Sequence, residues 1–157
     1  MKIDKPIISL TSKQNKKLKI AVVFSMFNSS IGNKLLKSTI TNLIRLGVTE
    51  KNIHVFNVPG ALEIPLAAQK ISQKKYDAII ALGIVIKGDT YHFEIVSHES
   101  HRALMDVSLK RKIPVVFGII CTYSEKQARE RADAKKMDKG REFAETAVEM
   151  ANFIKTV

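Results

Sequence analysis

The chain has 157 residues, 45% of them hydrophobic and 26% charged, which is the composition of one globular domain able to bury a core. Its single cysteine, Cys121, excludes an internal disulfide framework and fits a reducing compartment, so the expected localisation is cytoplasmic. Lys and Arg number 26 against 15 Asp and Glu, a formal net charge of +11. The lysines are scattered, without the aromatic-laced basic stripe or motif of a nucleic-acid binder, and no apolar run reaches the roughly 20 residues that span a bilayer. The expected partners are therefore neither nucleic acid nor membrane; a phosphorylated small molecule fits the positive surplus.

"MKIDKPIISLTSKQNKKLK" has charge but no continuous apolar region of the secretory-signal kind. Residues 1–17 read as an arm, and "PIISL" as a short strand added to a neighbouring subunit's sheet; residues 18–157 read as a single domain. "LKIAVVFS" (18–25) is a first strand. Ile31, Leu35, Leu36, Leu43 and Ile44 then recur at helical spacing, and Gly47 ends that helix. "NIHVFNV" (52–58) is a second strand, stopped by Pro59-Gly60. "EIPLAAQKISQKK" (63–75) reads as a helix with Pro65 in its first turn. "YDAIIALGIVI" (76–86) is a third strand, followed by a helix over about 91–110, and "IPVVFGIICT" (113–122) is a fourth. Ser124-x-x-Gln127 is a capping-box pattern opening a helix to about 134, and a last helix covers about 139–154.

Strands apolar on both faces and separated by helices predict a four-stranded parallel sheet inside a three-layer α/β/α sandwich. In such folds the ligand lies at the carboxyl ends of the strands. Four of those ends carry unusual residues: Phe27-Asn28, Pro59 to Glu63, Lys87 to His92, and the stretch after Phe117. Gly88-Asp89-Thr90 precedes a helix whose free N–H groups can hold a phosphate, although Asp89 or Thr90 could equally be a helix cap. His92, in the first turn, has an imidazole able to carry protons near neutral pH. Glu94, His98 and His101 share a helix face and could in principle ligate zinc, but no fourth ligand is evident and a solvated face is the simpler reading. Glu63 could bind hydroxyls or serve only the helix dipole. The cationic stretch 128–142 includes Arg131 and Lys139, and spacing does not say which cations face a ligand.

Together "FN" (27–28), "VPGALEIP" (58–65), "YDAIIALGIVIKGDTYHFEIV" (76–96), "PVVFGI" (114–119), "RA" (131–132) and "DKG" (138–140) resemble the 6,7-dimethyl-8-ribityllumazine synthase family, in its order and nearly its spacing. The resemblance covers the chain from about residue 18 onward. It implies a flavodoxin-like transferase of riboflavin biosynthesis. Such an enzyme needs no metal or redox cofactor and condenses 5-amino-6-(D-ribitylamino)uracil with 3,4-dihydroxy-2-butanone 4-phosphate. It further implies a homopentamer with active sites shared between subunits. In that scheme His92 carries protons. Phe27 stacks on the pyrimidine, Ala61, Leu62 and Glu63 line the ribityl pocket, and Val85 and Ile86 border the ring. Asp89 and Thr90 contact the phosphate. A neighbouring subunit supplies Phe117 and Lys139 to the ring and Arg131 to the phosphate, with Glu142 supporting Arg131. Leu62 stands where the family often has Phe, Met26 where some members have Arg, and Lys87 where Arg is usual. The short connection 132–138 implies a sixty-subunit icosahedral shell, with riboflavin synthase as a candidate partner. A receiver-type module on the same fold would need an acidic pair after the first strand, and "FSMFNSS" has none.

Overall fold

A computed structural model describes residues 12–157. A short helix, α1 (Ser12–Asn15), leads into β1 (Ile20–Ser25), α2 (Ser29–Arg45) and β2 (Ile53–Val58). These are followed by α3 (Ile64–Ile71), β3 (Ala78–Ile86), α4 (His92–Arg111), β4 (Val115–Thr122), α5 (Glu125–Ala132) and α6 (Lys139–Thr156). The four strands form one parallel sheet in the order β2-β1-β3-β4. One face packs Ile20, Val22, Phe24, Ile80 and Leu82 against α2, α5 and α6; the other packs Ala21, Val23, Ile79 and Ala81 against α3 and α4. The fold is thus the expected three-layer α/β/α sandwich. The strand expected at "PIISL" lies outside the described residues. The end of the arm nearest the domain is anchored: Asn15 is buried, donates through Nδ2 to Leu46 O at 2.6 Å and accepts from Asn152 Nδ2 at 3.0 Å.

Local sequence signals act where they were read. Gly47 has φ 98°, and its N–H donates to Ile44 O while that of Val48 donates to Leu43 O. This is a Schellman termination, closed by the buried pair Leu43 and Val48. Ser124 Oγ accepts from the Gln127 N–H at 3.3 Å, but Gln127 Oε1 reaches back to the Tyr123 N–H rather than to that of Ser124. The helix expected over 63–75 is shorter: Ala61–Glu63 forms a 3-10 turn and α3 ends at Ile71. Beyond Ile71 the apolar positions run out, and "SQKK" offers nothing to bury against the sheet. Among the described residues, no helix is long and apolar enough to cross a membrane.

Candidate active site

The helix after β1 lies on one face of the sheet and the helix after β3 on the other. The carboxyl ends of these adjacent strands therefore diverge into a crevice, the switch point where parallel α/β folds place ligands. A cleft of about 400 Å³ opens there.

Three loops build it. After β1, Met26 N–H donates to Val58 O at 2.8 Å and Phe27 N–H to Pro59 O at 3.1 Å, tying the first loop to the second. Asn28 adopts a left-handed conformation, φ 57°, a region that Asn tolerates better than most residues, and its Nδ2 donates to Ile84 O at 3.0 Å. The "FN" pair divides its labour: Asn28 fixes the loop to β3, and Phe27, 71% exposed, lines the cleft. An exposed ring at the mouth of a cleft offers a flat face on which a planar ligand can stack.

The second loop contributes Gly60, Ala61, Leu62 and Glu63 to the lining. A Cβ on Gly60 would meet Glu63 Oε2 at 2.8 Å, so glycine leaves the carboxylate its room. The third supplies Val85 and Ile86 from the end of β3, then Gly88, Thr90 and His92. Asp89 is exposed and does not line the cleft. The start of α4 has no side-chain cap, so neither Asp89 nor Thr90 serves as the helix cap that the sequence allowed. Gly88 has no positive φ, and a Cβ there would meet nothing within 4 Å. Among the described residues, neither backbone conformation nor packing asks for glycine at that position.

Phe93 and Val96 also line the cleft, and the sequence reading did not single them out. A signal was present for Val96, which lies four positions past His92 on the same helical face, and Phe93 lies three positions before Val96. Lys87 bridges the third loop, with Nζ 2.5 Å from Glu94 Oε1 and 5.6 Å and 5.7 Å from the Phe93 and Tyr123 ring centroids. The hydrogen bond to Glu94 holds the lysine above its usual range, and the same bond holds the Glu94 carboxyl below the usual carboxylate range.

The remaining sequence candidates lie elsewhere. Phe117, Arg131, Lys139 and Glu142 belong to β4, α5 and α6, at and behind the β4 edge of the sheet, and none lines the cleft of its own chain. Phe117 packs edge-on to His101, centroids 5.8 Å apart. Arg131 donates to Gln127 O at 3.1 Å, and Lys139 pairs with Glu142 at 2.7 Å. Glu142 thus meets Lys139 rather than Arg131. In "DKG", Asp138 takes a left-handed conformation and accepts from Ser38 Oγ. Gly140 is buried where a Cβ would lie 2.7 Å from Ser38 Cβ. The motif fastens α6 to α2 and sets Lys139 between these two anchors. His101 donates Nδ1–H to Ser97 O at 2.7 Å, and among the described residues no three His, Cys, Asp or Glu side chains group as metal ligands. Burial pushes the half-buried Cys121 thiol up, with a smaller opposing pull from a hydrogen bond with Ser97.

A parallel α/β/α sandwich with a mixed aromatic, carboxylate and imidazole cleft at its switch point has the architecture of a flavodoxin-like enzyme acting on small molecules. The model of the 6,7-dimethyl-8-ribityllumazine synthase family matches residues 17–155. The chain belongs to that family, whose members are oligomeric transferases of riboflavin biosynthesis.

Proposed function

We propose that the protein condenses 5-amino-6-(D-ribitylamino)uracil with 3,4-dihydroxy-2-butanone 4-phosphate to give 6,7-dimethyl-8-ribityllumazine, phosphate and water. The supporting observation is that one cleft gathers an exposed aromatic ring, a carboxylate, an imidazole and an uncapped helix N-terminus. Phe27 stacks on the pyrimidine, with Val85 and Ile86 against its edge. Glu63 accepts hydrogen bonds from the ribityl hydroxyls beside Ala61 and Leu62. The free N–H groups of α4, with the backbone N–H of Asp89 and the backbone and hydroxyl of Thr90, receive the phosphate, and the open space at Gly88 lets it approach the backbone.

The butanone carbonyl condenses with the 5-amino group to an imine, releasing water. Phosphate is then eliminated, and attack by the ribityl-bearing nitrogen closes the ring with loss of a second water. Each step moves protons, and His92 stands beside the leaving phosphate to carry them. Holding both reactants in one cleft makes the bimolecular step effectively intramolecular, which is the larger contribution.

The residues at the β4 edge complete the site of a neighbouring copy. In this reading Phe117 closes over the ring, Arg131 clamps the phosphate, and Lys139, held by Glu142, lies near the ring. The assembly is a homopentamer, extended to a sixty-subunit shell in the cytoplasm, with riboflavin synthase as a candidate guest. Residues 1–17 form an interface arm on the single domain 18–157. The reaction needs no metal or redox cofactor.

The test follows lumazine absorbance in mixtures of the two substrates against the uncatalysed background. Wild type accelerates the reaction. Arg131→Ala raises KM for the butanone phosphate, and His92→Ala lowers kcat by about 10²-fold, the low end for a lost acid–base group. Phe27→Ala raises KM for the uracil by about tenfold or more, as expected for a lost stacking contact. An assembled wild-type protein without acceleration rules the proposal out.

A further inference from the structure

Lys87 and Glu94 bracket the turn that the reading above gives to the phosphate. Lys87 is the last residue of this segment tied to the sheet, its N–H donating to Thr122 O at 2.9 Å. Glu94 lies in the first turn of α4. Between them residues 88–91 are all exposed, and the ion pair at 2.5 Å joins the two ends of the turn. The other carboxylate oxygen, Glu94 Oε2, is buried and has no hydrogen-bond partner among the described residues.

A helix N-terminus draws any anion, whether ligand or side chain. Glu94 therefore occupies the same field that would hold a phosphate, and a fixed carboxylate one turn away repels that ligand. Its second oxygen has no partner among the described residues to offset its charge, while solvent around the half-exposed pair screens the repulsion in part. The nearest counter-charge is Lys87, and stacking on Phe93 and Tyr123 keeps its ammonium in place.

We propose that Lys87 is a positioning residue for the anionic substrate: it cancels the Glu94 carboxylate, so that the N-terminus of α4 stays positive toward a phosphate. This rests on the assignment of the phosphate to that turn. It differs from an ordinary surface ion pair, whose loss changes little, and from a lysine that touches the phosphate directly. The difference is one of sign. Removing Lys87 alone exposes a repelling charge, whereas removing both partners removes the repulsion as well.

The experiment is calorimetric titration of inorganic phosphate into four assembled proteins: wild type, Lys87→Met, Glu94→Gln and the double variant. Steady-state KM and kcat for the butanone phosphate are measured alongside. Lys87→Met weakens phosphate about tenfold, the order expected for one uncompensated charge about a helical turn away in a partly screened site. Glu94→Gln binds phosphate at least as well as wild type, and the double variant returns to within about threefold of it, since both charges are gone. Lys87→Arg, which keeps charge and stacking, stays near wild type. The effect falls on KM, with kcat nearly unchanged.

A double variant as weak as Lys87→Met overturns the proposal, because it marks a direct contact or a simple staple. Unchanged phosphate affinity in Lys87→Met overturns it too, as does a wild type that does not bind phosphate. Wild-type protein that binds phosphate in this pattern without forming lumazine removes the proposed reaction and leaves the role of Lys87 standing.

Discussion

On the face of the sheet covered by α2, α5 and α6, Phe24, Leu82 and Val148 are sealed. Gly140 there brings α6 against α2 with no room for a methyl group. On the face covered by α3 and α4, Leu66 is 73% and Leu109 70% exposed. A second groove of about 350 Å³ runs between those helices, and the cleft opens at their sheet end. Among the described residues, three helices cover one side of the sheet and two cover the other. The candidate cleft opens on the side with two, where packing leaves backbone and side chains unconsumed. In a family whose members assemble, the exposed Leu66 and Leu109 make this side the one to test for a subunit contact.

Glycines probe this contrast most directly. A Cβ on Gly118 would stand 2.5 Å from Leu82 Cδ2 and 2.7 Å from Ala81 O, and the backbone oxygen cannot yield. Gly118→Ala should lose about 2 kcal/mol or more of stability by overpacking, read from urea unfolding at fixed protein concentration. An unaffected midpoint would show that the closed face is looser than its geometry. Leu66→Asp, on the open face, should leave the fold intact and shift the sedimenting species to smaller assemblies, since an exposed leucine contributes little within one chain. Unchanged sedimentation would place the subunit contacts elsewhere.

Gly88→Ala has space for its methyl and no strained φ. It should hold or slightly raise stability, by about 0.5 kcal/mol, yet weaken inorganic phosphate by several-fold through blocked backbone approach. Equal phosphate affinity would remove the ligand-based reason for glycine there.

The smallest effect concerns pH. Because Glu94 is held low, its share of the ion pair is present above the ordinary carboxylate pKa and is lost as pH falls through the lowered value. Because Lys87 is held high, its share is present below the ordinary lysine pKa and is lost as pH rises through the raised value. The stability difference between wild type and Lys87→Met should therefore stay constant over about pH 6–8 and shrink at the acid end. Thermal melts across that range measure it, and a slope near neutrality would point to another partner.

Strands and helix ends were legible because their causes are local. The β-branched runs set the strands, Gly47 permits the left-handed step of a Schellman turn, and Ser124 supplies the acceptor that α5 needs. The site was half legible. "VPGALE" and "KGDTYH" stood out as costly residues at strand ends, whereas Phe93 and Val96 passed as ordinary helix positions. Asp89 and Thr90 read equally well as caps, and the uncapped start of α4 removes that reading alone.

By itself the sequence determined the alternation of elements, the parallel sandwich and, through motif order, the family, since periodicity and turn chemistry act over a few residues. The tertiary structure decided which helices cover which face, and hence where the crevice opens. It joined Phe27, Glu63 and His92 in one cleft while leaving Phe117, Arg131 and Lys139 at the β4 edge. Those outcomes depend on crossovers and close packing between distant segments, and no local pattern encodes them.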